Sequence, residues 1–317
     1  MSLDAPARGE RFLAWHRAFL LEFEAALRAA ISREDGDAQA KKVFIPYWDF
    51  SHANNSIPVW VKNFKPKGIQ AIAPAGLPPG HPGHGKEGHT YQVQVTRWPG
   101  TNPAVPYSPS AGLVGRVLRE TDYTRFTRGL EWAPGLVRPA SAAEIDRTGM
   151  LISRLGQAAK EFTPLVESLR AGAVNEQLQF PVLRALYHLE STLAVPSILP
   201  GADRGTMKQL LGTVTKFFQT GPHTDVHTWV AGHHPLKPAV RGTAVYFHET
   251  VADPLFVMLH AEVDRIWATW QMKNSGRPDL RGADATFKPW EGGRTWTLPE
   301  LLDYQSLSYR YDRMYMS

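Results

Sequence analysis

Cysteine is absent from this chain of 317 residues. Its absence excludes disulfide bonds and thiolate metal sites, so any bound metal ion must be held by histidine, aspartate or glutamate. No apolar stretch reaches the roughly 18 residues that a membrane-spanning helix needs. The N-terminus also lacks the basic and then apolar layout of a signal peptide. We therefore expect a soluble protein without a membrane partner, cytoplasmic as written, while export together with a partner protein stays open.

Basic residues form no run of five or more, although the net charge is +5 and the isoelectric point is about 9.3. Lysine and arginine are scattered along the sequence, which is typical of a solvated surface rather than of a nucleic-acid footprint. Hydrophobic residues make up 43% of the chain and charged residues 21%, as in ordinary globular proteins. We expect no nucleic-acid partner, and a core large enough to fold without disulfides.

Apolar residues recur at helical spacing from Glu10 to about Ser32, which predicts an amphipathic helix. Later helices are indicated by the same periodicity or by a proline placed at a first helical turn. They are predicted near 143–171, at 175–192, from Pro222 and from Asp253–Pro254, where aspartate is the N-cap.

The segment 51–143 is rich in proline and glycine and predicts long loops, which in a compact domain usually carry function. Short strands are expected at 295–298 and 308–311. We see neither an internal repeat nor a linker. These patterns predict one domain over residues 1–317, mainly α, built as a helical bundle with long loops and a few short strands.

Four histidines lie in positions that suit a metal site. His223 and His227 are four residues apart, so a helix places both imidazoles on one face and within reach of one ion. Two surface histidines are the alternative interpretation. His16 and His260 each lie on the aromatic-rich face of a predicted helix, where a metal ion or a hydrogen bond must satisfy each ring nitrogen. Imidazole ligation suits copper, zinc, nickel or iron, and the residues alone do not choose among them.

Five blocks of sequence, in order along nearly the whole chain, resemble the type-3 copper proteins, which are the tyrosinases, catechol oxidases and their relatives. "RFLAWHRAFLLEFEAALR" resembles FLPWHRxYLxxFE, and "IPYWDF" resembles PYWDW. "GPHTDVHTWVAG" is similar to HNxVHxxVGG, and "DPLFVMLHAEVDRIWATWQ" is similar to DPIFxLHHxNVDRxWxxWQ. "LSYRYD" resembles the Tyr-x-Tyr element that closes the catalytic domain. The resemblance implies a helical bundle holding two adjacent copper ions, each bound by three histidines.

Carried over position by position, the resemblance assigns ligands to both copper ions. It implies that His223, His227 and His260 bind the second ion, and that His16 is the third ligand of the first. Asp264 matches an acidic residue of the family that acts behind the ligands or as a structural anchor. Further positions that we expect to lie beside the metal or to line a substrate pocket are Thr224, Thr228, Phe256 and Val257.

The first copper site departs from the family pattern. Its nearer upstream ligand would fall on Ala7 and its farther one before Met1, so only His16 remains. Either the chain lacks the family's N-terminal segment, or other histidines replace the missing ligands. The replacement candidates are His52 and the loop "HPGHGKEGH" with His81, His84 and His89; otherwise this loop is a solvent-exposed lid.

The resemblance implies a copper oxidoreductase that oxidises o-diphenols or o-aminophenols to quinones with O2. Thr224 stands where true tyrosinases often have Asn, and the nearby Gln219 is no base, which argues against monophenol hydroxylation. The alternative is a degenerate relative, with one copper ion or none, that binds or scaffolds. Reversible O2 carriage is a third reading, and it needs both ions. The sequence leaves open a copper-delivering partner and the oligomeric state.

Overall fold

The computed structural model describes residues 9–51, 57–77, 79–97, 114–115, 117–130, 135–136, 141–171, 203–219, 221–234, 237–307 and 309–315. Helices dominate these ranges, so the predicted fold class, mainly α with a few short strands, is confirmed. In chain order the α-helices are α1 (Phe12–Asp35), α2 (Asp37–Ala40), α3 (Val59–Asn63), α4 (Tyr123–Leu130), α5 (Ala142–Leu155), α6 (Thr163–Arg170), α7 (Arg204–Phe217), α8 (Pro222–Ala231), α9 (Phe247–Thr250), α10 (Pro254–Gln271) and α11 (Leu298–Leu302).

The strands form two-stranded antiparallel ladders between the helices. Strand pairing in these short ladders ties loops together and builds no extended sheet. The pairs are β1 (Gln70–Ile72) with β2 (Thr90–Gln92), β3 (Gly135–Leu136) with β4 (Phe218–Gln219), β5 (His233–His234) with β6 (Lys237–Arg241), and β7 (Thr286–Phe287) with β8 (Trp296–Thr297).

Helix α1 is the amphipathic helix that the sequence predicts. A 3₁₀ turn over Gly9–Arg11 leads into it, and it ends at Gly36, whose φ of 85° a residue with a side chain rarely adopts. Its first nine residues, Phe12 to Leu20, are all buried, including His16. The second half is more exposed, so α1 enters the core only with the end that carries the histidine.

Helix α10 runs through the centre of the core. Asp253 caps it, because its side chain accepts the Leu255 N–H at 2.8 Å, and Pro254 supplies a fixed φ at the first turn. Every residue from Leu255 to Trp270 is buried. A helix that is buried all round needs neighbours on every side. Helix α1 packs along one of these sides, which brings His16 close to His260.

Several local predictions differ from the structure. Segment 51–143 is not loop throughout, because α3, α4, β1 and β2 lie in it. Helix α7 has the helical period but was not predicted, and residues 309–311 form no strand. The helix predicted at 175–192 lies outside the described residues. These elements are short or follow glycine and proline. Packing against the rest of the chain, rather than the local sequence pattern, therefore decides whether they form.

Within the described ranges, no helix is both long enough and apolar enough to cross a membrane.

Candidate metal centre

Three buried histidines converge from two helices. His223 and His227 project from the same face of α8, and His260 projects from the middle of α10. The Nε2 atoms of His223 and His260 are 2.9 Å apart, and one nitrogen of each of the three rings lies within 4.8 Å of the others. Two nitrogens bound to one tetrahedral ion at about 2.0–2.1 Å lie roughly 3.3 Å apart. The trio therefore has the spacing of a three-imidazole metal site.

Backbone carbonyls fix the tautomers of the rings. The Nδ1–H of His260 donates to the Phe256 carbonyl at 2.7 Å, and that of His227 donates to the Ala244 carbonyl at 2.7 Å. His16 repeats the arrangement on α1, where its Nδ1–H donates to the Phe12 carbonyl at 2.7 Å. A carbonyl can only accept, so these Nδ1 atoms carry the hydrogen and each Nε2 keeps its lone pair for a metal.

Burial keeps the four rings neutral. Desolvation lowers the pKa of His16 to about 3 and the pKa of His227 to about 4. Burial also lowers the pKa values of His223 and His260 well below the usual range, and the neighbouring imidazoles push them in the same direction. The neutral form is the one that binds metals, so no proton has to be displaced at neutral pH to free these rings.

His16 lies beside the trio and does not join it. Its ring is stacked on that of His260, with centroids 4.3 Å apart and planes 5° apart, and its centroid is 6.2 Å from that of His223. Across the described residues, two sets of three side chains have ligand atoms within 4.8 Å of one another, and His16 is in neither. His16 therefore belongs to no complete set of three candidate ligands among the described residues.

The three loop histidines suggested as replacement ligands, His81, His84 and His89, have their contacts away from His16. His81 contacts Tyr91, Tyr246 and His248, whereas the rings that contact His16 belong to α1, α8 and α10. The Nδ1–H of His84 donates to the Leu77 carbonyl at 2.7 Å, and that of His89 to the Glu87 carbonyl at 3.0 Å. Ala7 and His52 lie outside the described residues.

The lid interpretation of the loop "HPGHGKEGH" holds for only part of it. His84 and His89 are exposed, but His81 is buried. The buried ring packs against Tyr246, with centroids 4.6 Å apart, and the Gly83 N–H donates to its Nδ1. The loop is anchored at this histidine, which the sequence pattern did not show.

Phe256 forms an apolar wall beside the imidazoles. Its ring centroid is 4.1 Å from that of His260, 6.2 Å from His227 and 6.4 Å from His16. Val257 is buried in the same core, and Thr224 is fully buried next to His223. The side chain of Thr228 lies outside the described part of the chain. Phe256 is therefore the residue of this predicted group that the structure places directly against the histidines.

Asp264 anchors the helices that carry the histidines. Its Oδ1 accepts from Arg17 Nε at 2.6 Å, with side chains 3% and 1% exposed, and its Oδ2 accepts from the hydroxyls of Tyr309 and Tyr311. Burial raises the pKa of both tyrosines well above the usual range. This network joins α1, α10 and the C-terminal segment. This role of Arg17 was not predicted from the sequence. The available signal was a charged side chain on the apolar face of a helix, where it needs a buried partner of opposite charge.

A cavity of about 510 Å³ opens beside this network and is lined by Glu24, Arg28, Tyr47 and Arg310 among others. None of the four histidines lines it, so it is not a substrate pocket of the metal centre.

Comparison with known proteins agrees with this geometry. The family model described as the common central domain of tyrosinase matches residues 5–273. The chain belongs to the tyrosinase family. Members of this family are copper oxidoreductases, and copper is its cofactor. The type-3 copper resemblance of the five sequence blocks is therefore confirmed.

Individual relatives are distant. The tyrosinase of Streptomyces antibioticus is 26% identical and is matched over 96% of this chain and 80% of its own length. Haemocyanin 1 of Megathura crenulata is 33% identical over 111 residues, which are 29% of this chain and 3% of that protein. A solved structure of an Aspergillus oryzae tyrosinase is 16% identical, with a TM-score of 0.39 over 96% of this chain and 74% of that chain.

The side chains present fit one of the two copper ions that the resemblance to type-3 copper proteins implies. Three neutral imidazoles, with no thiolate and no carboxylate among them, form a donor set that suits copper. His223, His227 and His260 would hold that ion. His16 would contribute to a second ion, but among the described residues it belongs to no set of three candidate ligands.

We expect the metal-free protein to lose stability as the pH falls below the ordinary histidine pKa of 6.5. Because burial lowers the histidine pKa values in the fold, the unfolded chain binds more protons than the folded chain below this pH. The stabilisation is fully present above pH 6.5. It is lost progressively as the pH falls towards the folded-state pKa, which is about 4 for His227 and about 3 for His16. Each ring contributes at most about 1.4 kcal/mol per pH unit.

Urea unfolding of the metal-free protein between about pH 7 and pH 5 measures this slope. His16→Gln removes one titrating ring at similar size, so its stability should depend less steeply on pH. Equal slopes for the variant and the natural protein would contradict the prediction.

Proposed function

We propose that this tyrosinase-family protein oxidises o-diphenols or o-aminophenols with O2 as the electron acceptor, from a copper centre held by His223, His227 and His260. The observation that supports it best is the convergence of these three buried imidazoles, with Nε2 atoms of His223 and His260 2.9 Å apart. Copper, when bound, takes electrons from the phenolic substrate and passes them to O2. We further propose that residues 1–317 act as one copper domain.

The protein's own residues contribute position and an apolar environment. The carbonyls of Phe256 and Ala244 hold His260 and His227 in the ligating tautomer, so the rings need little reorganisation to receive the metal. The ring of Phe256 excludes water from one side of the imidazoles. It also offers the aromatic ring of a phenolic substrate an apolar surface to pack against.

Monophenol hydroxylation should be weak. It requires a base that removes the phenolic proton, and Thr224, next to His223, carries a hydroxyl that is no base at neutral pH. Asp264, an acidic side chain of α10, is committed to Arg17, Tyr309 and Tyr311. We therefore propose a preference for substrates that already carry two ortho donor groups.

A second candidate is a mononuclear relative that binds copper without rapid turnover. One observation favours it: within the described residues, His16 belongs to no set of three side chains that could hold an ion. A copper-delivering partner fits either candidate, because the three ligands are deeply buried.

Copper analysis combined with oxidation assays distinguishes the two candidates. We expect copper-loaded protein to oxidise catechol and an o-aminophenol, and to act on tyrosine at least about tenfold more slowly, as is typical when a proton-transfer residue is missing. About one copper per chain without turnover would favour the mononuclear candidate. Two coppers with equal rates on tyrosine and catechol would contradict the predicted preference.

A further inference from the structure

A second cluster of potential ligands lies outside the copper centre. It consists of His81 from the loop between β1 and β2, and of His248 and Glu249 from α9. One ligand atom of each lies within 4.8 Å of the other two. His81 Nε2 is 3.2 Å from Glu249 Oε1, and these side chains are 2% and 5% exposed. We propose that these three residues bind a divalent cation of the zinc class, in a structural site separate from the copper centre.

The donor set and its spacing both suit zinc. Two histidines with one carboxylate are a known ligand combination for Zn²⁺. Ligands of a tetrahedral ion at about 2.0–2.1 Å lie roughly 3.3 Å apart, close to the 3.2 Å between His81 Nε2 and Glu249 Oε1. The fourth position would take water, because His248 is partly exposed and gives access from solvent.

The surroundings already orient the ligands. The Tyr91 hydroxyl donates to Glu249 Oε1, and the ring of Tyr246 packs edge-on against that of His81. Hydrogen bonds from neighbouring groups to the ligands are the usual support of a protein metal site. A Cβ at position 83 would meet Leu77 Cδ1 at 2.8 Å and Tyr91 Cε1 at 3.0 Å, so the loop packs closely against these two side chains next to His81.

Cation binding requires a change of tautomer at His81. The Gly83 N–H donates to Nδ1 at 3.1 Å, which leaves the ring hydrogen on Nε2. The ion takes the place of this hydrogen, which moves to Nδ1 through solvent, so the Gly83 N–H loses its acceptor there. One backbone hydrogen bond is thereby exchanged for a metal bond.

The site would stabilise a segment that the copper centre also uses. Residues Thr243 to Thr250 form consecutive turns, with Glu249 N–H donating to the Tyr246 carbonyl at 2.9 Å. In the same segment, the Ala244 carbonyl accepts from His227 Nδ1. An ion bridging His81 to α9 would fasten the β1–β2 loop to the segment behind His227. The zinc site would form whether or not the copper centre oxidises phenols.

Zinc uptake by copper-loaded protein tests the site. After Zn²⁺ addition and dialysis, metal analysis should find about one zinc more per chain, with the copper content unchanged. His248→Gln and His81→Gln should weaken zinc binding by more than the about 10- to 100-fold that changes behind metal ligands cost. Zinc should raise the melting temperature of the natural protein and leave that of the variants unchanged.

His84→Gln is the matched control, because His84 lies on the same loop, is exposed, and its side chain donates to the Leu77 carbonyl, away from the proposed site. It should bind zinc like the natural protein. His248→Gln changes a partly exposed side chain, so it should fold even if His81→Gln does not. Co²⁺ provides a second readout through the absorption bands of a tetrahedral site, which should vanish in His248→Gln. Zinc uptake that is unchanged in His248→Gln, or that displaces copper one for one, would overturn the proposal.

Discussion

Replacing His260 by glutamine should remove copper from the centre and abolish the oxidation of o-diphenols. His260 supplies one of three converging nitrogens, and its Nε2 lies 2.9 Å from that of His223. An amide is a poor copper ligand, and two imidazoles cannot replace three. Copper affinity should fall by more than about 100-fold, since changes behind metal ligands already cost about 10- to 100-fold. Copper analysis after dialysis and the rate on catechol measure both effects.

Two further variants make this test specific. His84→Gln, in an exposed loop position, should keep both copper and activity. His16→Gln distinguishes a centre with one copper ion from a centre with two. The copper content should stay unchanged if only His223, His227 and His260 bind copper, and it should fall by about one ion per chain if His16 holds a second ion. Full copper content and full activity in His260→Gln would show that the trio is not the ligand set.

Replacing Asp264 by alanine should destabilise the fold by about 3–5 kcal/mol, the usual cost of leaving a buried charge without its partner. Arg17 and Asp264 are 1% and 3% exposed, and Arg17 cannot give up its charge. The guanidinium would keep the Leu301 carbonyl, Gln271 and the faces of Trp267 and Tyr304, none of which carries a full negative charge. Denaturant unfolding of metal-free protein measures the loss.

Tyr309→Phe is the matched control, because it removes one hydroxyl that donates to Asp264 Oδ2 at 2.6 Å and leaves the ion pair intact. Its cost should be about 1.5–3 kcal/mol, as for one hydrogen bond to a charged group. If Asp264→Ala costs no more than Tyr309→Phe, the ion pair does not hold α1 and α10 together.

What the sequence alone determined is mostly local. The spacing of His223 and His227 places both rings on one face of a helix whatever surrounds it, since 3.6 residues make a turn. The caps and periodicity of α1 and α10 are local as well. Five ordered motifs were enough to identify the family and to propose His16 and His260 as the third and fourth histidines of the centre.

The tertiary structure decided what depends on contacts between distant segments. The stacking of His16 on His260 follows from the packing of α1 against α10, and the commitment of Asp264 to Arg17 follows from the same contact. The pairing of His81 with Glu249 joins a proline- and glycine-rich loop to a one-turn helix. Neither segment has a periodic pattern, so its path is set by the surfaces it packs against, and only the folded chain shows which side chains meet.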